Sequence, residues 1–259
     1  MSFGKNSPIL GKVSIKRGKI RPRADELTLQ TVFASYRIGQ GFFGTGCGQE
    51  EMMLSMYPEA LLLHYIMEPL ADHECAYVIG AHNFSKVSGL GARMAFEGPI
   101  SITDTKRSKP WFDLYGRRAT ALGFIDPLEC SDIAEFGMET MAREVVKAHS
   151  AFSVNAVTLG EHYPYIATGN WGGGAAGGDP TLRFVMQWVA AAYSGRKLEY
   201  YIDDSNEQYI ELFEEIVATA VEKEITAAII VKYVSNYTEH RREYTLGESL
   251  LVRMGVEDG

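Results

Sequence analysis

Two glycine-rich stretches, each set between an apolar run and a helical one, constrain this chain more than any other feature. The first, Gly39-Gln40-Gly41-Phe42-Phe43-Gly44-Thr45-Gly46-Cys47-Gly48, places five glycines in ten residues. It follows an extended segment over residues 26–38, where Leu27, Leu29, Val32, Phe33 and Ile38 give a loose β pattern. It feeds Gln49-Glu50-Glu51 and a helical run from Met52 to Tyr57. The second stretch, residues 169–178, follows a short strand at Ile166–Ala167. The helix after it has Asp179 as N-cap and Pro180 in its first turn, with Leu182, Val185, Trp188, Val189 and Ala192 on one face until Gly195. Glycine lets a backbone approach a ligand closely, and helix N-termini present free N–H groups, so strand, glycine loop, helix suits a diphosphate. Neither loop is a GxGxxG fingerprint or a GK[ST] loop, and on spacing alone a purely structural role competes evenly with this one.

Other short apolar runs, at Cys75–Ile79, Ala119–Ile125, Val154–Leu159 and Leu198–Ile202, alternate with helical stretches such as Asp132–His149. That alternation predicts an α/β fold with a mostly parallel or mixed sheet covered on both faces. Pro58 opens a further helix running to Met67, and residues 206 to about 240 read as helices with an apolar stretch at Ile225–Val234. We read the 259 residues as one domain, 1–259, with residues 1–15 and 241–259 as flexible ends.

Charge and residue usage exclude several classes. A net charge of −8 repels phosphate backbones, so no direct DNA binding is expected. The one basic cluster, Lys16-Arg17-Gly18-Lys19-Ile20-Arg21-Pro22-Arg23, fits a nuclear import signal, an anion-facing strand or a solvated strand edge. No apolar run approaches the roughly 20 residues that span a bilayer, and the start Met1-Ser2-Phe3-Gly4-Lys5 lacks a secretory core, so an intracellular protein is expected, in cytoplasm or nucleus. Cys47, Cys75 and Cys130 form no CxxC pair, and no histidines stand as HxxxH or HExxH. Reduced thiols and no metal follow.

Glu50 and Glu51 open a helix beside an anion loop, where carboxylates would repel a phosphate unless they serve another task. Adjacent helical residues point about 100° apart, so the two cannot flank one bond as the paired carboxylates of ordinary glycosidases do. One carboxylate must then perform both the acid and the base step. The bland alternative is that both glutamates complement the helix dipole in solvent.

These residues resemble the poly(ADP-ribose) glycohydrolase family at several separated places. Gly39-Gln40-Gly41 followed by Gln49-Glu50-Glu51 resembles the family's glycine triplet and its Gln-Glu-Glu; Tyr57-Pro58-Glu59 and His73-Glu74-Cys75 resemble its Asn-Pro-Glu and Asn-Glu-Cys. Residues Ala167 to Gly172, then Gly174-Ala175 and Gly177-Gly178-Asp179, are similar to its second loop. The resemblance runs from about Gly18 to Ser205. It implies a macrodomain-like three-layer sandwich, a mixed sheet flanked by helices, in a minimal or divergent member without the long upstream segment of the animal enzymes. It implies that Glu51 protonates the leaving ribose oxygen and then activates water, with Glu50 touching ribose hydroxyls and Gln49 helping to bind substrate. Asn170, Trp171, Gly172, Gly173, Gly174 and Ala175 correspond to the loop that embraces the diphosphate.

The sequence departs from that pattern around the adenosine. The family's aspartate and asparagine before the first loop are Val32 and Ser35, and the triplet's middle glycine is Gln40. An adenine-stacking tyrosine aligns with Val87, with Phe84 nearby as a replacement face; a second-loop aromatic is Ala176; and the adenine-reading Ile-Glu pair aligns with Ile20-Arg21. The resemblance implies hydrolysis of the ribose-ribose bonds of poly(ADP-ribose) without a cofactor, by a monomer acting on the polymer or on ADP-ribosylated protein, in reversal of ADP-ribosylation such as follows DNA damage. Two alternatives stay open: a hydrolase that removes ADP-ribose from one particular acceptor, and a non-catalytic ADP-ribose reader.

Overall fold

A computed structural model describes residues 6–23, 26–100, 112, 115–129, 133–153, 163–174, 176–237 and 244–256. Its centre is a six-stranded sheet in the order β1-β8-β7-β2-β6-β3. The strands are β1 (Val13–Arg17), β2 (Thr28–Phe33), β3 (Ala76–Ile79), β6 (Ala121–Ile125), β7 (Tyr165–Gly169) and β8 (Lys197–Ile202). All neighbours run parallel except β3, which is antiparallel to β6. A separate hairpin pairs β4 (Ser85–Ser88) with β5 (Ala95–Pro99).

The central strands are apolar on both faces, as a sheet covered twice requires. Along β6 the side chains alternate: Ala121 and Ile125 enter one core, Leu122 and Phe124 the other. The first core lies under α3 (Met138–Phe152), α4 (Pro180–Tyr193), α5 (Ile210–Glu222), α6 (Ala227–Ser235) and α7 (Leu246–Val256). The second lies under α1 (Gln49–Met56) and α2 (Leu62–Ile66). This is the three-layer α/β arrangement that the alternation of elements predicts.

Helix α4 starts and stops where its caps dictate. Asp179 Oδ1 accepts from Leu182 N at 2.9 Å, Pro180 stands at the first position, and Gly195 takes φ +62° beyond the end. Its apolar residues do not form one stripe, however: every residue from Thr181 to Ala191 is buried, because the helix is packed between the sheet, α3, α6 and α7. Other boundaries shift. The helix expected from Asp132 begins at Met138, after a turn and Gly137. The one expected from Pro58 divides into a 3-10 turn, Pro58–Leu61, and α2. The strand expected at Val154–Leu159 lies outside the described residues.

Described residues near both ends pack into the fold. Leu10 is buried and its N–H donates to Ile225 O at 2.9 Å, Ile9 bridges Thr226, and α7 packs against α5 and α6. The basic run is partly consumed by structure: Lys16 and Arg23 both reach the fully buried Glu199 of β8, at 2.6 and 2.7 Å. Among the described residues no helix is long and apolar enough to cross a membrane.

Candidate active site

Parallel strands end on one side of a sheet, and the loops that leave them there form the natural place for a ligand. Five such loops converge here: Gly18–Ile20 after β1, Ala34–Gly48 after β2, Asp126–Glu129 after β6, the second glycine loop after β7, and Asp203–Asn206 after β8. Together they line a cleft of about 940 Å³.

Helix α1 enters this cleft by its N-terminus, and its first three residues divide the work. Gln49 turns back onto β2: its Oε1 accepts from Phe33 N at 2.8 Å and its Nε2 donates to Thr31 O at 3.0 Å. The amide extends the strand's ladder past its own end and fixes the helix to the sheet. Glu50 faces the start of the first loop. Its Oε1 accepts from Gly39 N at 2.7 Å, and its Oε2 accepts from both Ser35 N and Ser35 Oγ at 3.0 Å. Burial raises the Glu50 pKa, outweighing these donors, which favour the charged form, and Glu51 adds to the rise.

Glu51 faces the other way, as adjacent helical residues must. Its Oε2 accepts from Gly48 N at 2.7 Å, a capping contact that orients the carboxylate. Its Oε1 lies between the two stems of the first loop: a Cβ placed on Gly41 would stand 2.2 Å from it, and one on Gly46 2.7 Å. A side chain at either glycine would collide with this carboxylate oxygen. Gly41→Ala is therefore expected to displace a flexible side-chain end while hardly touching the backbone. For the acid–base role that the resemblance implies for Glu51, a misplacement of about 1 Å can cost about 100-fold in rate. We expect a loss of that order in turnover with an almost unchanged melting temperature, read by activity assay and thermal denaturation on the same sample.

The second loop is braced from beneath. Gly178 N donates to Gly172 O at 3.0 Å, closing the loop at its base. The Arg183 guanidinium fills the space beside these residues, since a Cβ on Gly172 or Gly178 would fall 3.0 and 2.4 Å from its atoms. Arg183 Nη1 pairs with Glu144 Oε2, and Glu144 Oε1 takes Arg143 Nη1 at 2.6 Å and Leu128 N at 3.2 Å. Arg143 Nη2 continues to Asp126 Oδ2 at 2.9 Å, and Lys147 reaches Asp126 Oδ1 at 2.6 Å. Glu135 accepts from Asp179 N at 3.0 Å. A buried chain of alternating charges thus joins the loop after β6 to the loop after β7.

Of the residues read from sequence, Ser35, Gln40, Gln49, Glu50, Glu51, Asn170, Gly172, Gly174 and Ala176 line the cleft, as does Ile20. Others do not. Trp171 is fully buried and its Nε1 donates to Ile125 O at 3.1 Å, so it anchors the loop in the core. Gly173 makes room for Asn170, whose Oδ1 a Cβ there would meet at 2.0 Å. Gly39 serves by its N–H and by φ +75°, and Gly41 by the space it leaves. Phe84 lies off the cleft, edge-on to His82, and Val87 of β4 packs against the second core while its carbonyl accepts from Lys19 Nζ. Val32 is wholly in that core. Ala175 lies outside the described residues. The aromatic residues that do line the cleft are Phe33, Tyr36 and Tyr201. Sequence reading missed these, and Asp126 and Arg143 as well. The signal available was position, because Asp126 and Tyr201 sit at or just past the ends of parallel strands.

The chain is similar to several known proteins. Residues 4–209 match a family described as "Poly (ADP-ribose) glycohydrolase (PARG), Macro domain fold". Poly(ADP-ribose) glycohydrolase 2 of Caenorhabditis elegans is 29% identical over 183 residues, covering 67% of this chain and 37% of that protein. Probable poly(ADP-ribose) glycohydrolase 2 of Arabidopsis thaliana is 24% identical over 229 residues, covering 74% of this chain and 42% of that one. The chain thus spans about two fifths of the length of these curated relatives. The crystal structure of poly(ADP-ribose) glycohydrolase from Thermomonospora curvata aligns with a TM-score of 0.47 at 17% identity, covering 77% of this chain and 73% of that one. With a family match over most of its length, and with the Gln-Glu-Glu helix set between two glycine loops, this chain belongs to the poly(ADP-ribose) glycohydrolase family, with its macrodomain fold.

Proposed function

We propose that this protein hydrolyses the ribose-ribose bonds of poly(ADP-ribose), releasing ADP-ribose, with Glu51 as the only acid and base. The observation that supports this reading most directly is the Glu51 carboxylate itself, one oxygen held by Gly48 N–H and the other enclosed by Gly41 and Gly46 at the cleft. In the first step protonated Glu51 gives its proton to the bridging oxygen as the bond to the anomeric carbon breaks, leaving an oxocarbenium-like sugar. In the second the carboxylate takes a proton from water as the water oxygen adds to that carbon. The family relatives carry the corresponding name, and the second glycine loop offers a diphosphate a braced backbone.

Glu50 has a structural task beside the ribose contact that the resemblance implies. Three donors hold it against Ser35 and Gly39, which leaves one of about four lone-pair sites for a ribose hydroxyl. The chain acts as a monomer in this reading, on the polymer or on an ADP-ribosylated protein. The test is release of free ADP-ribose from automodified poly(ADP-ribosyl)ated protein. If the polymer persists while a mono-ADP-ribosylated acceptor is cleared, the acceptor-specific hydrolase is the correct reading. If neither is cleaved while ADP-ribose binds, the protein is a reader.

A further inference from the structure

The outer side of the first glycine loop carries a cluster of exposed rings that the cleft does not use. Phe43, at the loop's tip, is 59% exposed, and Tyr65 of α2 is 71% exposed. Their ring centroids are 6.1 Å apart, with His64 at 5.3 Å from Phe43 and 5.2 Å from Tyr65. Phe42 packs edge-on to Phe43 at 5.4 Å. Exposed aromatic surface of this kind marks a place where something binds.

The cluster is tied to the first glycine loop. His64 Nδ1 lies 2.9 Å from Ile38 O, and a Cβ on Gly39 would touch His64 at 3.4 Å, so α2 packs directly against the start of the loop. Phe43 stands two residues from Gly41, whose Cβ position is 2.2 Å from Glu51 Oε1. With consecutive Cα atoms about 3.8 Å apart, the Phe43 backbone lies no more than about 11 Å from that oxygen. Tyr36 and Gln40, earlier in the same segment, line the cleft.

The chemistry of the substrate says what should lie there. Each ribose-ribose bond of the polymer joins the anomeric carbon of one unit to the 2′ oxygen of the next unit's adenosine. One unit fills the cleft. The leaving group is then an adenosine, whose base stands one furanose ring from the oxygen that Glu51 protonates. Resting on the glycohydrolase reading above, we propose that Phe43 and Tyr65, with His64 behind them, form a stacking site for the adenine of the leaving unit. Every nucleobase has a π-face that can stack on an aromatic ring.

The experiment compares wild type with Phe43→Ala/Tyr65→Ala on two substrates: the polymer, and ADP-ribose joined through its anomeric carbon to p-nitrophenol, a leaving group without a base. Stacking on one base supports a loss of about tenfold to a hundredfold in kcat/KM on the polymer. Turnover of the nitrophenyl substrate and calorimetric affinity for ADP-ribose should stay at wild-type values, and Phe43→Tyr/Tyr65→Phe should keep polymer activity. Equal losses on both substrates, or no loss on the polymer, would overturn the site. A wild-type dimer that the double variant dissociates, seen by light scattering, would overturn it too, because a second copy would then cover the rings. Wild-type inactivity on the polymer would instead sink the reading on which the site rests.

Discussion

Glu51→Gln is expected to stop turnover while leaving ADP-ribose bound. Glutamine keeps the length and shape of the side chain and can still accept from Gly48 N–H, so the loop around it should stand as before. What it loses is the proton that must move to the leaving oxygen and the base that must then activate water. Positioned general acid–base catalysis contributes about 100-fold to 10,000-fold. Because the proposed mechanism routes both steps through this single carboxylate, we expect the loss to sit at or beyond the upper end. All of it should fall in kcat, with the dissociation constant for ADP-ribose unchanged, which single-turnover assays and calorimetry together resolve. Near wild-type turnover in this variant would end the mechanism.

The largest effect on stability is expected away from the carboxylates of α1. Glu144→Ala removes the partner that Arg183 and Arg143 share, and it leaves the almost fully buried Arg183 guanidinium without its main counter-charge. Breaking a buried pair from one side costs about 3–5 kcal/mol. In a domain of this size, where about 1 kcal/mol moves the midpoint by about 2–4 °C, that lowers the melting temperature by roughly 6–20 °C. Since Arg183 also fills the space beside Gly172 and Gly178, affinity for ADP-ribose should fall in the same variant even at temperatures where it stays folded. Loss of stability with full affinity would show that the charge chain supports the core alone.

The reach of the sequence can be judged from particular residues. Helix α4 was readable because its signals are local: a capping aspartate, a first-turn proline and a terminal glycine each act within one turn. The strands of the sheet's middle were readable as short apolar runs for the same reason. The hairpin β4–β5 was not, since Ser85-Lys86-Val87-Ser88 carries no apolar alternation and owes its shape to packing against α1. At the site, the two glutamates and the glycine loops were legible, but their partners were not. Nothing in sequence says that Glu50 reaches Ser35 and Gly39 whereas Glu51 reaches Gly48; the helical offset separates them, and only the folded loop decides who meets whom. The misplacement of Phe84 and Trp171 has the same origin. Both are aromatic residues near glycine turns, and whether a ring faces a cleft or a core depends on strand register and loop closure, which are properties of pairs of distant segments.

The helices beyond residue 209 carry a consequence for where this protein can be cut. The family match stops at that residue, yet Phe213, Ile216, Ala220, Ile230, Val234, Leu250 and Met254 belong to the same core as the sheet. The turn before α6 also receives the chain's beginning, through Leu10 N–H to Ile225 O and the bridge from Ile9 to Thr226. Trimming at the recognisable boundary would therefore strip one whole side of the first core and unfasten the opposite terminus as well. What relatives share marks the part that carries the cleft, whereas what must be kept together to hold that part in shape extends at least to Met254.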